Sequence, residues 1–238
     1  KNEIIAEPPN LPFVNYPIVE ELNKEFGIDV YLDNDANVAT LAEYMFGAGK
    51  GTENLVYVTA STGVGGGAIL NGKIYRGSTS NALEVGHTTV NAFGRRCGCG
   101  NNGCVEAMAS GTAIMKAAKD AIESRVQTSL RKYDEVTSKE VFMEASKGDR
   151  VSKEIIEEAM SYLGVAVANY ANMLDPDIIV IGGGIIGAGD IVFEIVNKEM
   201  EKRCLGPIFR NCKVVKSDLG GKTGVHGAIA KAMTESNK

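Results

Sequence analysis

Hydrophobic positions change period several times along the chain, and each change marks an element. Residues 17–26 carry Ile18, Val19, Leu22 and Phe26 at helical spacing behind Pro17, and Gly27 ends the run. Ile28 to Leu32 is a short apolar stretch that predicts a strand. It leads into Asp33-Asn34-Asp35-Ala36-Asn37, a polar cluster opening a helix from Ala36 to Phe46. Leu55 to Thr59 and Gly66 to Leu70 predict paired strands, Asn71-Gly72 is a hairpin signal, and Lys73 to Tyr75 is the returning strand. Glu106 to Ser124 and Ser152 to Leu174 have the helical period, the second with small Ala166, Ala168 and Ala171 suited to close packing. Asp177 to Ile181 is the β-branched run of a buried parallel strand, followed by Gly182-Gly183-Gly184 and a helix after Asp190. A strand at Lys213 to Lys216, a turn at Gly220-Gly221 and a helix from Val225 to Met233 follow. The opening residues, Lys1 to Asn10, predict a short strand stopped by Pro8 and Pro9, with nothing before it to pair or cap it. The succession is that of an α/β protein.

Composition agrees with this reading. A chain of 238 residues with 44% hydrophobic and 23% charged residues can bury a sizeable core, which excludes disorder as its main state. The net charge of -5, with no dense Lys/Arg run, offers nothing to nucleic acid. The most apolar run, Ile178 to Ile186, is broken by glycines well short of a membrane span, and the first residues do not resemble a signal peptide. A cytoplasmic protein with no membrane partner is expected.

Three of the five cysteines fall in Cys97-Gly98-Cys99-Gly100-Asn101-Asn102-Gly103-Cys104. That clustering argues against a disulfide framework and for metal ligation in a reducing compartment. His87 is the natural fourth member of a Cys₃His tetrahedron for a structural Zn²⁺, and the glycines let a short loop fold around the ion. Without a metal the aperiodic stretch from Asn91 to Gly103 has no core of its own. Four protein ligands would leave no open position for a catalytic water. Cys204 and Cys212 stand apart and read as buried or incidental thiols. Two further features leave alternatives open on residues alone. The Asp33–Asn37 cluster fits a helix cap or a catalytic carboxylate, and Thr62-Gly63-Val64-Gly65-Gly66-Gly67 fits a phosphate nest or a turn between strands.

The stretches Asn34-Asp35-Ala36-Asn37, Ser61 to Gly67, Glu84-Val85-Gly86-His87 and Cys97-x-Cys99-Gly-x-x-Gly-Cys104-x-Glu106 resemble, in order and spacing, the ROK family of sugar kinases and repressors. Glucokinases are the closest match in kind. The resemblance implies an actin-like (ribonuclease H-like) α/β fold of two lobes: residues 1–50 and the terminal helix, 225–238, in a smaller lobe, and 51–224 in a larger one. It implies hexose and ATP as partners, phosphorylation of glucose to glucose 6-phosphate, structural Zn²⁺, Mg²⁺ with ATP, and a homo-oligomer, dimer or tetramer. By the same resemblance Asp35 is the base that takes the hydroxyl proton. Asn10, Asn34, Glu84, His87 and Glu106 bind the sugar, with Asn34 using both amide donor and acceptor. Thr62 and Gly63 hold phosphate, Gly182, Gly183 and Gly184 hold the adenosine, and residues 219–227 close the adenine side. The metal ligands are His87, Cys97, Cys99 and Cys104. Two positions depart from the family pattern: Thr223 stands where alanine is usual and Leu83 where glycine is usual. The family's Asp-x-Gly-Gly-Thr phosphate loop does not occur in the sequence, so the chain is expected to be truncated before Lys1 and to be a poor kinase by itself. A sugar-responsive repressor, an N-acetylmannosamine or N-acetylglucosamine kinase, and a zinc hydrolase are the competing readings.

Overall fold

Strand β1 (Leu55–Ala60) divides its residues between two cores: Val56, Val58 and Ala60 face one side of a sheet, Leu55 and Tyr57 the other. This alternation follows from the two-residue period of a strand, and it marks β1 as central, since both faces are buried. The computed structural model describes residues 4–5 and 12–236. Asn10 and most of the opening segment lie outside the described residues. Strands β2 (Val64–Leu70) and β3 (Lys73–Tyr75) extend the sheet antiparallel from β1. The hairpin turn between them is Asn71-Gly72, both at positive φ (50° and 72°), as an Asn-Gly turn requires. On the other side β4 (Ile178–Gly182) and β5 (Lys213–Lys216) run parallel to β1, giving the order β3-β2-β1-β4-β5.

Helix α1 (Ile18–Phe26) ends on Gly27 in the left-handed region. Helix α2 (Asp35–Phe46) packs with the terminal helix α9 (Thr223–Ser236) over one sheet face, where Leu41 and Ala230 meet Leu55, Ile69, Ile178 and Val180. The opposite face carries α3 (Val105–Ala109), α4 (Gly111–Glu123), α5 (Ser138–Ser146), α6 (Arg150–Leu174), α7 (Ile191–Arg203) and α8 (Gly206–Asn211). Ile114, Leu130, Met160, Leu163, Ile179 and Ile181 are fully buried there. Each contributes about 1.5–3 kcal/mol by leaving water. The α6–α7 crossing is close because Gly164 leaves room: a Cβ there would lie 2.7 Å from the Glu199 Cβ.

Two expectations need correction, and two helices are additional to those expected. Ile28–Leu32 forms no strand; among the described residues nothing pairs with it, and Ile28, Tyr31 and Leu32 are exposed. Apolar residues alone do not make a strand without a neighbour to complete its hydrogen bonds. The helix expected over Glu106–Ser124 is two helices, broken at Ser110, which is extended (φ −75°, ψ 166°) and caps α4 by accepting from the Ala113 amide at 3.1 Å. Helices α5 and α8 were not anticipated. For α5 the signal was present: Thr137 and Glu140 form a capping box, the reciprocal cap that a Thr-x-x-Glu spacing announces.

Candidate functional site at the sheet edge and cysteine loop

Parallel strands β1 and β4 end side by side, with Thr59 opposite Gly182, and both chains turn away at the same edge. Ligands of α/β sheets bind outside such carboxyl ends. Close approach is enforced by glycine here: Gly183 has φ 90°, and a Cβ on it would collide with the Ala60 backbone, while one on Gly182 would collide with the Tyr57 hydroxyl. The Ser61–Gly63 loop is tied to the start of α4, whose Gly111 amide donates to the Ser61 carbonyl at 2.7 Å and whose Thr112 hydroxyl donates to the Thr62 carbonyl at 2.8 Å. A cavity of about 620 Å³ opens there, walled by Ser61, Thr62, Met115, Lys139, Phe142 and Gly184 among others. Its size and mixed apolar and polar lining suit a small organic ligand. Thr62 and Gly184 thus line the space, while Gly182 and Gly183 pack behind it against β1. Helix α5 builds the far wall.

His87, Cys97, Cys99 and Cys104 converge so that their ligand atoms lie within 4.8 Å of one another. The Cys99 and Cys104 sulfurs are 3.7 Å apart, and the Cys97 sulfur is 3.7 Å from His87 Nδ1. Two sulfurs bonded at about 2.3 Å to one tetrahedral ion would be separated by about 3.8 Å. The donor set therefore fits a four-coordinate metal of the zinc type, bound through Nδ1, with His87 Nε2 left over. Backbone bonds shape the loop: Cys97 N donates to Asn101 O at 2.8 Å, and Gly103 N to Arg95 O at 2.8 Å. Gly103, at φ 65°, lies against the Asn91 backbone where a Cβ would collide. Burial and the neighbouring thiols push the Cys104 thiol up, to about 12, and a metal bound there would displace its proton.

The cysteine loop and the glycine loop meet at Glu106. Its Oε2 accepts from the Val64 amide at 3.1 Å, Oε1 lies 4.0 Å from the Cys97 sulfur, and a Cβ on Gly63 would stand 2.5 Å from Oε2. Glu84 is exposed and precedes the short 3-10 turn Val85–His87. That turn is pinned from behind by the buried Tyr170, whose hydroxyl donates to the Val85 carbonyl at 2.7 Å and contacts Thr88 Oγ1 at 2.9 Å. Leu83 has φ 64°, a strained value for leucine and an easy one for glycine. The position where this chain departs from the family pattern is thus one that asks for glycine.

The three polar residues before α2 have three different fates. The Asp33 carboxylate is shielded beside Arg76 (2.5 Å) and Lys231 (3.2 Å) and also accepts from Asn37 Nδ2. Burial opposes its ionisation, but the two cations outweigh it and hold the carboxyl below its usual range. Asn34 is the N-cap: Oδ1 accepts from the Ala36 and Asn37 amides at 2.9 and 3.1 Å, which uses its acceptor and leaves only the amide donor for a ligand. Asp35 is exposed, accepts only from the Ala36 amide, and pairs with no cation among the described residues. Its charge is felt by the Tyr57 hydroxyl, which burial and then the Glu43 and Asp35 carboxylates push up. The start of α2 rests on β2, with Gly65 and Gly67 facing Ala36 and Thr40, so Asp35 and Glu106 flank opposite ends of the short Gly63–Gly65 segment.

Glu43, fully buried on α2, was not anticipated. It accepts from the Ser217 hydroxyl at 2.5 Å and from the amides of Ala48, Asp218 and Leu219 at 3.0, 3.4 and 3.3 Å. It fastens α2 to the loop after β5, and a lone Glu in a helical stretch carries no mark of this in sequence. Thr223 is buried and its hydroxyl donates to the Gly220 carbonyl at 2.6 Å, a bond that alanine could not make.

Known proteins are similar to this chain in sequence and fold. A glucokinase of Halalkalibacterium halodurans is 37% identical over 223 residues, covering 92% of this chain and 68% of its own. A xylose repressor of Caldicellulosiruptor bescii is 33% identical over 95% of this chain, which spans 58% of the repressor. A ROK family glucokinase from Streptomyces griseus, solved with glucose and AMPPNP, superposes with a TM-score of 0.83 at 32% identity, covering 96% of this chain and 76% of that one. The five-stranded sheet with helices on both faces is the actin-like α/β fold of these sugar kinases. The ROK family profile matches residues 1–235, and with the cysteine cluster, the glycine loop and Asp35 at one sheet edge, the chain belongs to the ROK family.

Proposed function

We propose that the protein phosphorylates a hexose hydroxyl with ATP, converting glucose to glucose 6-phosphate. The observation that carries this reading is the state of Asp35. Of the carboxylates in its motif it alone is exposed and free of cations, at the start of a helix that abuts the glycine loop. A base needs that freedom, because a carboxylate committed to an ion pair is a poorer proton acceptor. In the reaction the Asp35 carboxylate accepts the hydroxyl proton while the sugar oxygen attacks the γ-phosphorus and ADP leaves. Asn34 Nδ2, Glu84, His87 Nε2 and Glu106 orient the ring. The adenosine occupies the 620 Å³ cavity, and Thr62 and Gly63 contact the phosphates. Zn²⁺ held by His87, Cys97, Cys99 and Cys104 would supply rigidity to the loop that presents His87 and Glu106, not electrophilic catalysis. Mg²⁺ accompanying ATP would offset phosphate charge.

The test is production of glucose 6-phosphate and ADP by the whole protein, with Asp35→Asn as the variant. Loss of a general base lowers kcat by about 10²–10⁴-fold, and glucose affinity measured by calorimetry should stay put. A variant turning over at the wild-type rate would refute the assignment. The second reading, a sugar-responsive repressor, draws on the 33% identity to the xylose repressor. Glucose binding without any turnover in the wild-type protein would favour it. N-acetylmannosamine and N-acetylglucosamine belong in the same substrate panel.

A further inference from the structure

The carbonyl of Val85 is the meeting point of two hydroxyls that have no part in the reaction above. Tyr170 Oη lies 2.7 Å from it, Thr88 Oγ1 lies 2.7 Å from it, and the two hydroxyl oxygens are 2.9 Å apart. Two hydroxyls bring two protons to three short contacts and the carbonyl brings none, so one contact is always without a hydrogen. The two bonds to the carbonyl have different consequences. Thr88 bonds within the turn, and its amide adds a second bond to the same carbonyl at 3.3 Å, so together they set the turn's shape. Tyr170 reaches in from α6, 85 residues away in sequence, and sets where the turn sits. Its ring is buried in the same core as Val85, and burial pushes the phenol up, to about 12, so it keeps the proton it donates. Elsewhere the turn rests on backbone: the Val105 amide donates to the Thr88 carbonyl at 2.9 Å, and Gly86 lies so close to the Val64 carbonyl that a Cβ would collide with it.

We propose that Tyr170 is a positioning residue for sugar binding: its hydroxyl fixes the Val85–His87 turn against α6, and with it the Glu84 and His87 side chains that flank Val85. The inference rests on the reading of Glu84 and His87 as sugar ligands, not on turnover. Without the phenol the turn keeps its internal bonds and loses its placement, so a bound sugar has to restore that placement out of its own binding energy. A purely structural tyrosine would behave otherwise: its loss would lower Tm and leave sugar affinity alone.

The experiment compares the whole wild-type protein with Tyr170→Phe, which removes one oxygen and keeps the ring. Asp149→Ala, which uncaps the start of the same helix, is the control for lost stability. Glucose binding, measured by calorimetry well below every unfolding transition, should weaken about three- to tenfold in Tyr170→Phe, the scale of one hydrogen bond. In Asp149→Ala it should stay at the wild-type value. In steady state the loss should fall on KM for glucose, with kcat within about twofold and KM for ATP unchanged, because Asp35 and the 620 Å³ cavity stand on other elements. Metal content by elemental analysis should match the wild type. Unchanged glucose affinity in Tyr170→Phe, an equal loss in Asp149→Ala, or loss of the metal together with the sugar overturns the proposal. Weaker glucose binding by Tyr170→Phe in a protein that never turns glucose over would sink the kinase reading and leave Tyr170 in its role; turnover with the same KM in both proteins would do the reverse. No glucose binding by the wild type overturns the proposal together with the sugar site it rests on.

Discussion

Asp33→Asn and Asp35→Asn remove the same charge two residues apart, and the structure requires their costs to differ. Asp33 has a side chain 7% exposed, between Arg76 at 27% and Lys231 at 11%. Removing one partner of a fully buried ion pair costs about 3–5 kcal/mol. Here Arg76 reaches solvent and Lys231 retains Glu235 at 2.8 Å, which lowers the expectation to about 2–3 kcal/mol. Asp35 loses only its interaction with the amino end of α2, about 0.3–1 kcal/mol. For a chain of this length each kcal/mol moves Tm by about 2–4 °C, so Asp33→Asn should lower Tm by about 4–12 °C and Asp35→Asn by about 1–4 °C. Differential scanning calorimetry of both variants reads this directly. The sign with pH is also fixed. Because the folded carboxyl of Asp33 titrates below its unfolded value, its contribution is complete above the ordinary carboxylate pKa of about 4 and is lost as pH falls through the folded value. The gap between wild type and Asp33→Asn should be constant from neutrality to mild acid and close below that. Equal Tm losses for the two variants, or a gap that widens in acid, would refute the assignment of Asp33 to structure and Asp35 to chemistry.

Cys104→Ser, or chelation of the wild-type protein, should abolish metal content by elemental analysis and lower both Tm and glucose affinity; retention of glucose affinity in the metal-free protein would separate the loop from the sugar site. Asp149 caps α6 by accepting from the Ser152 amide at 2.9 Å and hydroxyl at 2.7 Å, and from Thr128 and Ser129 at 2.8 and 2.9 Å. Burial opposes its ionisation, but these donors together bring it down to about 2. Asp149→Ala should cost about 1–2 kcal/mol at neutral pH in urea unfolding, with the difference fading as pH falls below the ordinary carboxylate value toward 2.

Local chemistry was legible in the sequence where one segment holds all its partners. The cysteine cluster needed only His87 from outside its loop, and the Asn71-Gly72 hairpin only its own two strands. Fates decided by distant partners were not legible. On residues alone Asp33, Asn34 and Asp35 all fit a helix cap and only the resemblance singles out Asp35 as the base; the engagement of Asp33 by Arg76 and Lys231, brought in by the hairpin side and by α9, has no mark in the sequence. The break at Ser110 is set by the Ser61 carbonyl, to which Gly111 must come close, so helical periodicity alone carried through it. Ile28–Leu32 failed for the converse reason: its pattern is that of a strand, but the described structure offers it no edge.

Glu43 gives α2 a consequence beyond anchorage. It lies eight residues after Asp35 on one unbroken helix, a rise of about 12 Å, and its oxygens are spent on the loop after β5 and on the Ala48 amide. The helix is therefore a gauge bar: the position of the exposed carboxylate is measured off from the Ser217–Leu219 loop, not adjusted locally. A substitution that reshapes the pocket by moving the start of α2 must be absorbed at the far end of that bar, where the buried Glu43 side chain holds four donors. Variation in what the pocket accepts is cheaper in the Glu84 segment and the cysteine loop, whose positions do not depend on that length.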